Sequence, residues 1–306
     1  MNSALAPIVL FVFNRPQHTR KTVMALAANA EAKDSILYIY CDGPKGNATA
    51  EQLESIKQVR QIAKEEKRFK EIIVNERNEN FGLAKSVITG VTEIINKHGK
   101  VIVVEDDLVS SPYFLQFMND ALNVYASSAL VACISGYVYP VKGVLPDTFF
   151  LKGADCWGWA TWKRAWDIFE PDGKKLLDQL QAESLTSAFD FDGTYAYTTM
   201  LQEQIDGKNN SWAIRWYASA FLKNMYCLYP GVSLIQNIGI DGSGENSGVS
   251  KRWKVQLAGT KLNVNSIAIE ENLIAKKYFS KYFITLRKSH KSLFERGMNR
   301  LKRIIK

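Results

Sequence analysis

The chain has few cysteines, few histidines and no long apolar run. Its 306 residues include four cysteines and three histidines. Cys41, Cys133, Cys156 and Cys227 are scattered without paired spacing, which argues against a disulfide framework or a zinc knuckle and leaves cysteine as core filler in a reducing compartment. The apolar runs, such as PIVLFVF at 7–13, fall far short of the roughly 20 residues that span a bilayer. No basic region leads into an apolar core and cleavage site near the first residues, so a cytosolic location is expected. With 46% hydrophobic and 23% charged residues, the composition is that of an ordinary globular chain able to bury a full core.

Acidic residues are nearly missing from one region only. Residues 276–306 hold eleven Lys or Arg against the single acid Glu295, a net charge of +10, whereas the other 275 residues carry 28 basic and 30 acidic side chains. Within this tail Phe279, Phe283, Leu286, Leu293, Phe294, Met298, Leu301, Ile304 and Ile305 recur at three- and four-residue steps, one helical stripe with cations around it. Such a helix suits an anionic membrane surface, placing the protein peripherally on the inner face of the cell membrane. A terminal helix packed on its own domain, its basic face solvated, is the alternative. Nucleic acid ranks last as a partner, because no fold signature or stacking-aromatic motif accompanies the charge.

Elsewhere apolar strands alternate with amphipathic helices. Strands are expected at 7–13, 35–41, 71–75, 100–105 and 129–135, and helices over 17–29, 49–67, 83–97 and 112–125. The pattern predicts an α/β fold, a doubly wound and mostly parallel sheet covered on both faces, followed by a basic helical extension. Ligands of such sheets bind beyond the carboxyl ends of the strands. Those positions hold Asn14-Arg15-Pro16, Asp42-Gly43-Pro44, the Arg77–Gly82 loop and Glu105-Asp106-Asp107. Three consecutive carboxylates after a buried strand repel one another and call for a counter-charge. An arginine, a lone aspartate, a loop entering a helix and an acid cluster together match the needs of a metal-bound nucleotide diphosphate.

On these residues the chain resembles a GT-A glycosyltransferase, with EDD at 105–107 in the place of that fold's metal-binding acids. It is similar to the N-acetylglucosaminyltransferase I type in Arg15, Asp42 and EDDLVSSPYF, and to bacterial family 2-like sugar transferases. The acceptor loop of such enzymes is similar to LKGADCWGWATWKRAW (151–166). The resemblance implies that Asp107 holds Mn²⁺ or Mg²⁺, that Glu105 and Asp106 contact sugar and ribose hydroxyls, that Arg15 meets the diphosphate, and that Asp42 meets the base, most often uracil. Each has a plainer use as well: Arg15 in an ion pair, Asp42 as a turn residue. Lys85, one turn into the next helix, can reach a phosphate or stay solvated.

Four tryptophans crowd residues 157–166. Trp157 and Trp159, with Asp155, are the acceptor candidates, Gly158 allowing backbone to approach a substrate; Trp162 and Trp166 read as core. An inverting transferase needs a carboxylate base, which in the resembling enzymes opens a late helix. Here Asn209, Asn210 and Ser211 open that helix (210–222), and the nearest acids are Asp206 and Glu203: either Asp206 serves, or Asn210 marks a changed site, a retaining mechanism or weakened catalysis, Asn210 otherwise being a helix cap; Arg215 can support acceptor or leaving group, or form a salt bridge. Asp241 or Glu245, in the loop DGSGENSG, can add a metal ligand, or the loop is a linker.

The domain reading is a catalytic unit at 1–250, with a nucleotide-sugar half (1–135) and an acceptor half (136–250), then a membrane-association region at 251–306. The expected activity is metal-dependent transfer of a hexosyl or N-acetylhexosaminyl group from a nucleotide-sugar, a UDP-sugar first, to a saccharide acceptor that is lipid-linked or part of a cell-surface polysaccharide or lipopolysaccharide. A nucleotidyltransferase and a catalytically silent membrane-associated assembly subunit remain as alternatives.

Overall fold

The apolar runs form neighbouring parallel strands because β-branched and aromatic side chains on both faces can be covered by the helices between them. The computed structural model describes residues 4–242 and 250–287. In it β1 (Ile8–Val12), β2 (Ile36–Cys41), β3 (Glu71–Glu76) and β4 (Lys100–Glu105) lie in the order β3-β2-β1-β4, joined by α1 (Pro16–Ala27), α2 (Ala50–Glu65) and α3 (Gly82–His98). Parallel pairing brings all four carboxyl ends to one edge. Local chemistry sets the helix ends. Pro16 opens α1 where no N–H is needed, and Thr49 and Gln52 cap α2 reciprocally.

The chain continues through β5 (Leu108–Ser110), α4 (Phe114–Val124), β6 (Val131–Ser135), β7 (Thr148–Lys152), β8 (Trp159–Trp162), α5 (Lys163–Trp166), α6 (Gly173–Ala182), α7 (Thr186–Phe189), α8 (Tyr197–Ile205), α9 (Trp212–Leu222), β9 (Tyr226–Pro230) and β10 (Ile235–Asn237). The sheet grows to eight strands in the order β3-β2-β1-β4-β8-β6-β9-β7. β8 runs antiparallel to β4 and β6, and β7 antiparallel to β9, while β6 and β9 are parallel. Six strands therefore share one direction and two are reversed, the mostly parallel α/β sheet that the alternation predicts.

Two irregularities position the site. The reversal of β8, with Trp159 opposite Val103, delivers Asp155–Gly158 to the carboxyl edge of β4. Beyond that edge β5 and β10 form a separate antiparallel pair, Asn237 opposite Leu108, which holds the turn containing Asp107.

Alternating residues of β1 feed two core layers. Ile8 and Leu10 meet side chains of α1, α2 and α4; Val9 and Phe11 meet those of α3 and, farther along the same layer, α9 and the helix over 273–287. The last contact corrects one expectation. Phe279, Phe283 and Leu286 are buried in the domain, so this part of the apolar stripe cannot enter a bilayer. Leu293, Phe294, Met298, Leu301, Ile304 and Ile305 lie outside the described residues. Among the described residues no helix is long and apolar enough to cross a membrane.

Candidate functional site

The acid triplet sits where β4 leaves the sheet, and its counter-charge comes from the end of β1. One guanidinium nitrogen of Arg15 donates to Asp106 Oδ1 and, at 2.9 Å, to Asp107 Oδ2. Thr22 Oγ1 donates to the Asp106 carbonyl at 2.8 Å, and the Ile238 N–H to the Asp107 carbonyl at 2.8 Å. The turn is thus held by α1 on one side and by the residue after β10 on the other. Burial pushes Asp106 up to about 6, Arg15 opposing the rise and Asp107 adding to it. Glu105 is pushed up to about 8, first by burial and then by the charges of Asp107 and Asp106. For Arg15, burial lowers the pKa but the two carboxylates outweigh it, keeping the cation charged.

One oxygen of this cluster is left over. Asp107 Oδ1 is buried and, among the described residues, has no hydrogen-bond partner, a costly state for a carboxylate unless a cation or donor joins it. Across from it stands Gly239. A Cβ there would lie 2.0 Å from Asp107 Oδ2 and 2.9 Å from an Arg15 nitrogen, so only glycine permits the approach. Among the described residues no group of three or more His, Cys, Asp or Glu is assembled to hold a metal. A single available carboxylate still fits Mg²⁺ or Mn²⁺ chemistry, in which one or two carboxylates share the ion with substrate phosphates.

Asp42 is buried and fully engaged. Its Oδ1 accepts from the Gly43 N–H (3.0 Å) and the Phe81 N–H (2.9 Å), and its Oδ2 from the Gly82 N–H (2.9 Å) and Asn80 Nδ2 (3.1 Å). It ties the loop after β2 to the start of α3. Lys85 is exposed, its ammonium 3.9 Å from the centre of the Phe81 ring, while the Arg77 guanidinium lies 4.2 Å from the same ring. A cationic, aromatic ledge therefore borders the edge beside Asp42.

Asp155 lies near the start of β8 among aromatic residues. Its Oδ1 accepts the Cys156 N–H at 2.6 Å, and its Oδ2 the Tyr229 hydroxyl at 3.1 Å. Burial raises its pKa, and these hydrogen bonds pull against the rise. Its charge is felt by Tyr137, Tyr139, Tyr197 and Tyr229. Cys156, expected as filler, is only partly buried, and burial first, then the charges of Asp155 and Glu105, push its thiol well up. Trp157 is half-buried beside Tyr137 (4.7 Å between ring centroids) and Trp253 (5.7 Å). Trp159 differs from expectation: it is fully buried and stacks on Trp212 at 5.4 Å, so it faces the core and not an acceptor. The space beside Gly158 belongs to Ile235, whose side chain would stand 2.5 Å from an added Cβ.

The residues before α9 are placed elsewhere. Asp206 ends α8 at the surface, 2.9 Å from Lys208, and that partner lowers its pKa, the wrong direction for a base near neutrality. Ser211, not Asn210, caps α9 by accepting the Ile214 N–H. Asn210 is exposed and sits 3.5 Å from Arg215, whose guanidinium is buried on the carbonyls of Ser211 and Pro171. No hydrogen bond or ion pair joins Asp206, Asn210 or Arg215 to the acid triplet among the described residues. One pairing was not legible in the sequence. His18, in the first turn of α1, meets Asp241 at 3.0 Å and lies near enough to Asp106 to lower its pKa. Glu245 lies outside the described residues.

No family model matches the chain, and no curated protein does. Remote likenesses exist among solved structures. A mannosyltransferase from Pyrobaculum calidifontis, in complex with GDP-Man and Mn²⁺, is 14% identical over 44% of this chain and 36% of its own, with a TM-score of 0.33. S. aureus TarS is 15% identical over 48% of this chain and 24% of its own, TM-score 0.31. UDP-glucose pyrophosphorylase, complexed with UDP-glucose, is 14% identical over 75% of this chain and 91% of its own, TM-score 0.38. The chain thus spans about a third and a quarter of the first two proteins. What the edge can bind is read from its own residues.

Proposed function

We propose that the protein is a glycosyltransferase that takes a sugar from a nucleotide-diphosphate donor, a UDP-sugar first, and passes it to a saccharide acceptor, lipid-linked and met at the inner membrane surface. The observation that carries this reading is the buried, unpartnered Asp107 Oδ1 at the carboxyl edge of a parallel sheet, between Arg15 and Gly239. Asp107 would hold Mn²⁺ or Mg²⁺, which when bound neutralises the donor diphosphate and the leaving group. Arg15 keeps positive charge at the mouth of the site and orients Asp106 and Asp107. Glu105 and Asp106 would read the sugar and ribose hydroxyls of the donor. Asp42 shapes the base end through the Asn80–Gly82 turn, and Phe81 with Arg77 and Lys85 borders it.

At the acceptor end Asp155 is the better base than Asp206, because burial strengthens its hold on a proton while Lys208 weakens that of Asp206. In an inverting transfer the acceptor oxygen bonds to the anomeric carbon, the bond from that carbon to the diphosphate breaks, and the acceptor proton passes to Asp155. Trp157 offers an aromatic face to the sugar.

The test is product analysis. Incubation with a panel of nucleotide-sugars, Mn²⁺ and saccharide acceptors should release nucleoside diphosphate in step with a glycosylated acceptor. Formation of nucleoside triphosphate from nucleotide-sugar and pyrophosphate would make it a nucleotidyltransferase instead. Donor binding without any turnover would favour an assembly subunit.

A further inference from the structure

The helix over 273–287 buries one face and exposes another of unusual composition. Ala275, Phe279, Phe283 and Leu286 are in the core, yet Leu273, Ile274 and Ile284 are 73%, 58% and 39% exposed. At about 100° per residue, Leu273, Ile284, Lys277, Lys281 and Ile274 fall within one arc of about 100° on the outward side. Lys277 and Lys281 are exposed, and neither is paired with an acid among the described residues. No acidic residue occurs from 272 to 294. Three exposed aliphatic side chains interleaved with unopposed lysines form a surface that a solvated helix does not need.

We infer that this outward face, and not the inward stripe, is the surface that docks on an anionic lipid bilayer, its aliphatic residues entering the headgroup boundary and Lys277 and Lys281 meeting lipid phosphates. Charge complementarity selects the lipid over a second copy of the chain, since two copies meeting on this face would bring like charges together. The inward face of the same helix packs edge-on against Tyr139, with Phe279 at 5.0 Å and Phe283 at 5.1 Å between ring centroids, and Phe279 also meets the edge of Tyr229 at 5.6 Å, whose hydroxyl donates to Asp155. Docking therefore holds the Asp155 aromatic cluster about one helix diameter, some 10 Å, from the headgroups. That consequence rests on the acceptor reading above; the docking itself does not.

The experiment uses the full chain and vesicles of phosphatidylcholine alone or with added phosphatidylglycerol, with flotation as the readout. Binding is expected to the anionic vesicles only and to weaken with salt. Each cation near such a surface is worth about fivefold in partition, so K277E/K281E should weaken binding about 25-fold or more. L273S/I274S/I284S should weaken it at least tenfold with an unchanged melting temperature. Unchanged vesicle binding by both variants would assign the membrane contact elsewhere in the chain and overturn the inference. So would absence of wild-type binding, or a dimer in sedimentation that L273S/I274S/I284S dissolves. Donor-induced thermal shifts measured on the same preparations report the donor site separately, so failure of docking and failure of the transferase reading are distinguishable.

Discussion

Asp107, Asp42 and Asp155 are three aspartates at one sheet edge, and their partners give them three different roles. Asp42 has four donors and no spare lone pair, so its first role is to fix the start of α3. Asp42→Ala should cost about 1–3 kcal/mol, read as a lower melting temperature, because buried N–H groups lose their acceptor. Were Asp42 only a reader of the base, the variant would change nucleotide preference at constant stability. Gly239→Ala places a methyl against Asp107 and should abolish metal-dependent donor binding, at a fold cost of about 1–3 kcal/mol from overpacking. Asp155 binds its proton more tightly folded than unfolded, since burial raises its pKa. Its contribution to stability is thus full below the ordinary aspartate value and is lost as pH rises through the raised value. Asp155→Asn should remove that slope from thermal unfolding and the acid limb from the pH–rate profile, whereas Asp206→Asn should leave both in place.

At the level of elements, the helix over 273–287 separates packing from docking. Phe283→Ala should cost about 3–5 kcal/mol through the cavity it leaves, while substitutions on the outward arc should leave stability alone. The sequence pattern made the first half of the fold legible. Runs such as ILYIYC and KVIVVE are long and apolar enough to specify buried strands, and Thr49-Ala-Glu-Gln marks its own helix start. The second half was harder for physical reasons. β5 and β10 are three residues each, too short for a period, and β8 lies in a tryptophan cluster that reads equally as core or ligand surface. Its reversal, which brings Asp155 and Cys156 toward the acids, is a long-range pairing with no local signal. For the same reason Trp159 looked available to an acceptor when Trp212, far along the chain, covers it.

Across the whole molecule, the acids gather at one edge and the excess cations at the tail, and the two regions ask for different partners. The triplet was visible because it follows a buried strand; its solution, Arg15 on two acids and one oxygen left over, required the sheet to set β1 beside β4. The most direct measurement is a thermal-shift panel of UDP-, GDP-, CDP- and dTDP-sugars with and without Mn²⁺, on wild type and Asp107→Ala. A ligand that binds only the native state raises its melting temperature, so no acceptor need be known. The proposed site predicts that one nucleotide-sugar stabilises the wild type only with metal and that Asp107→Ala loses the shift. An equal shift in the variant, or none in the wild type with any donor, would contradict it.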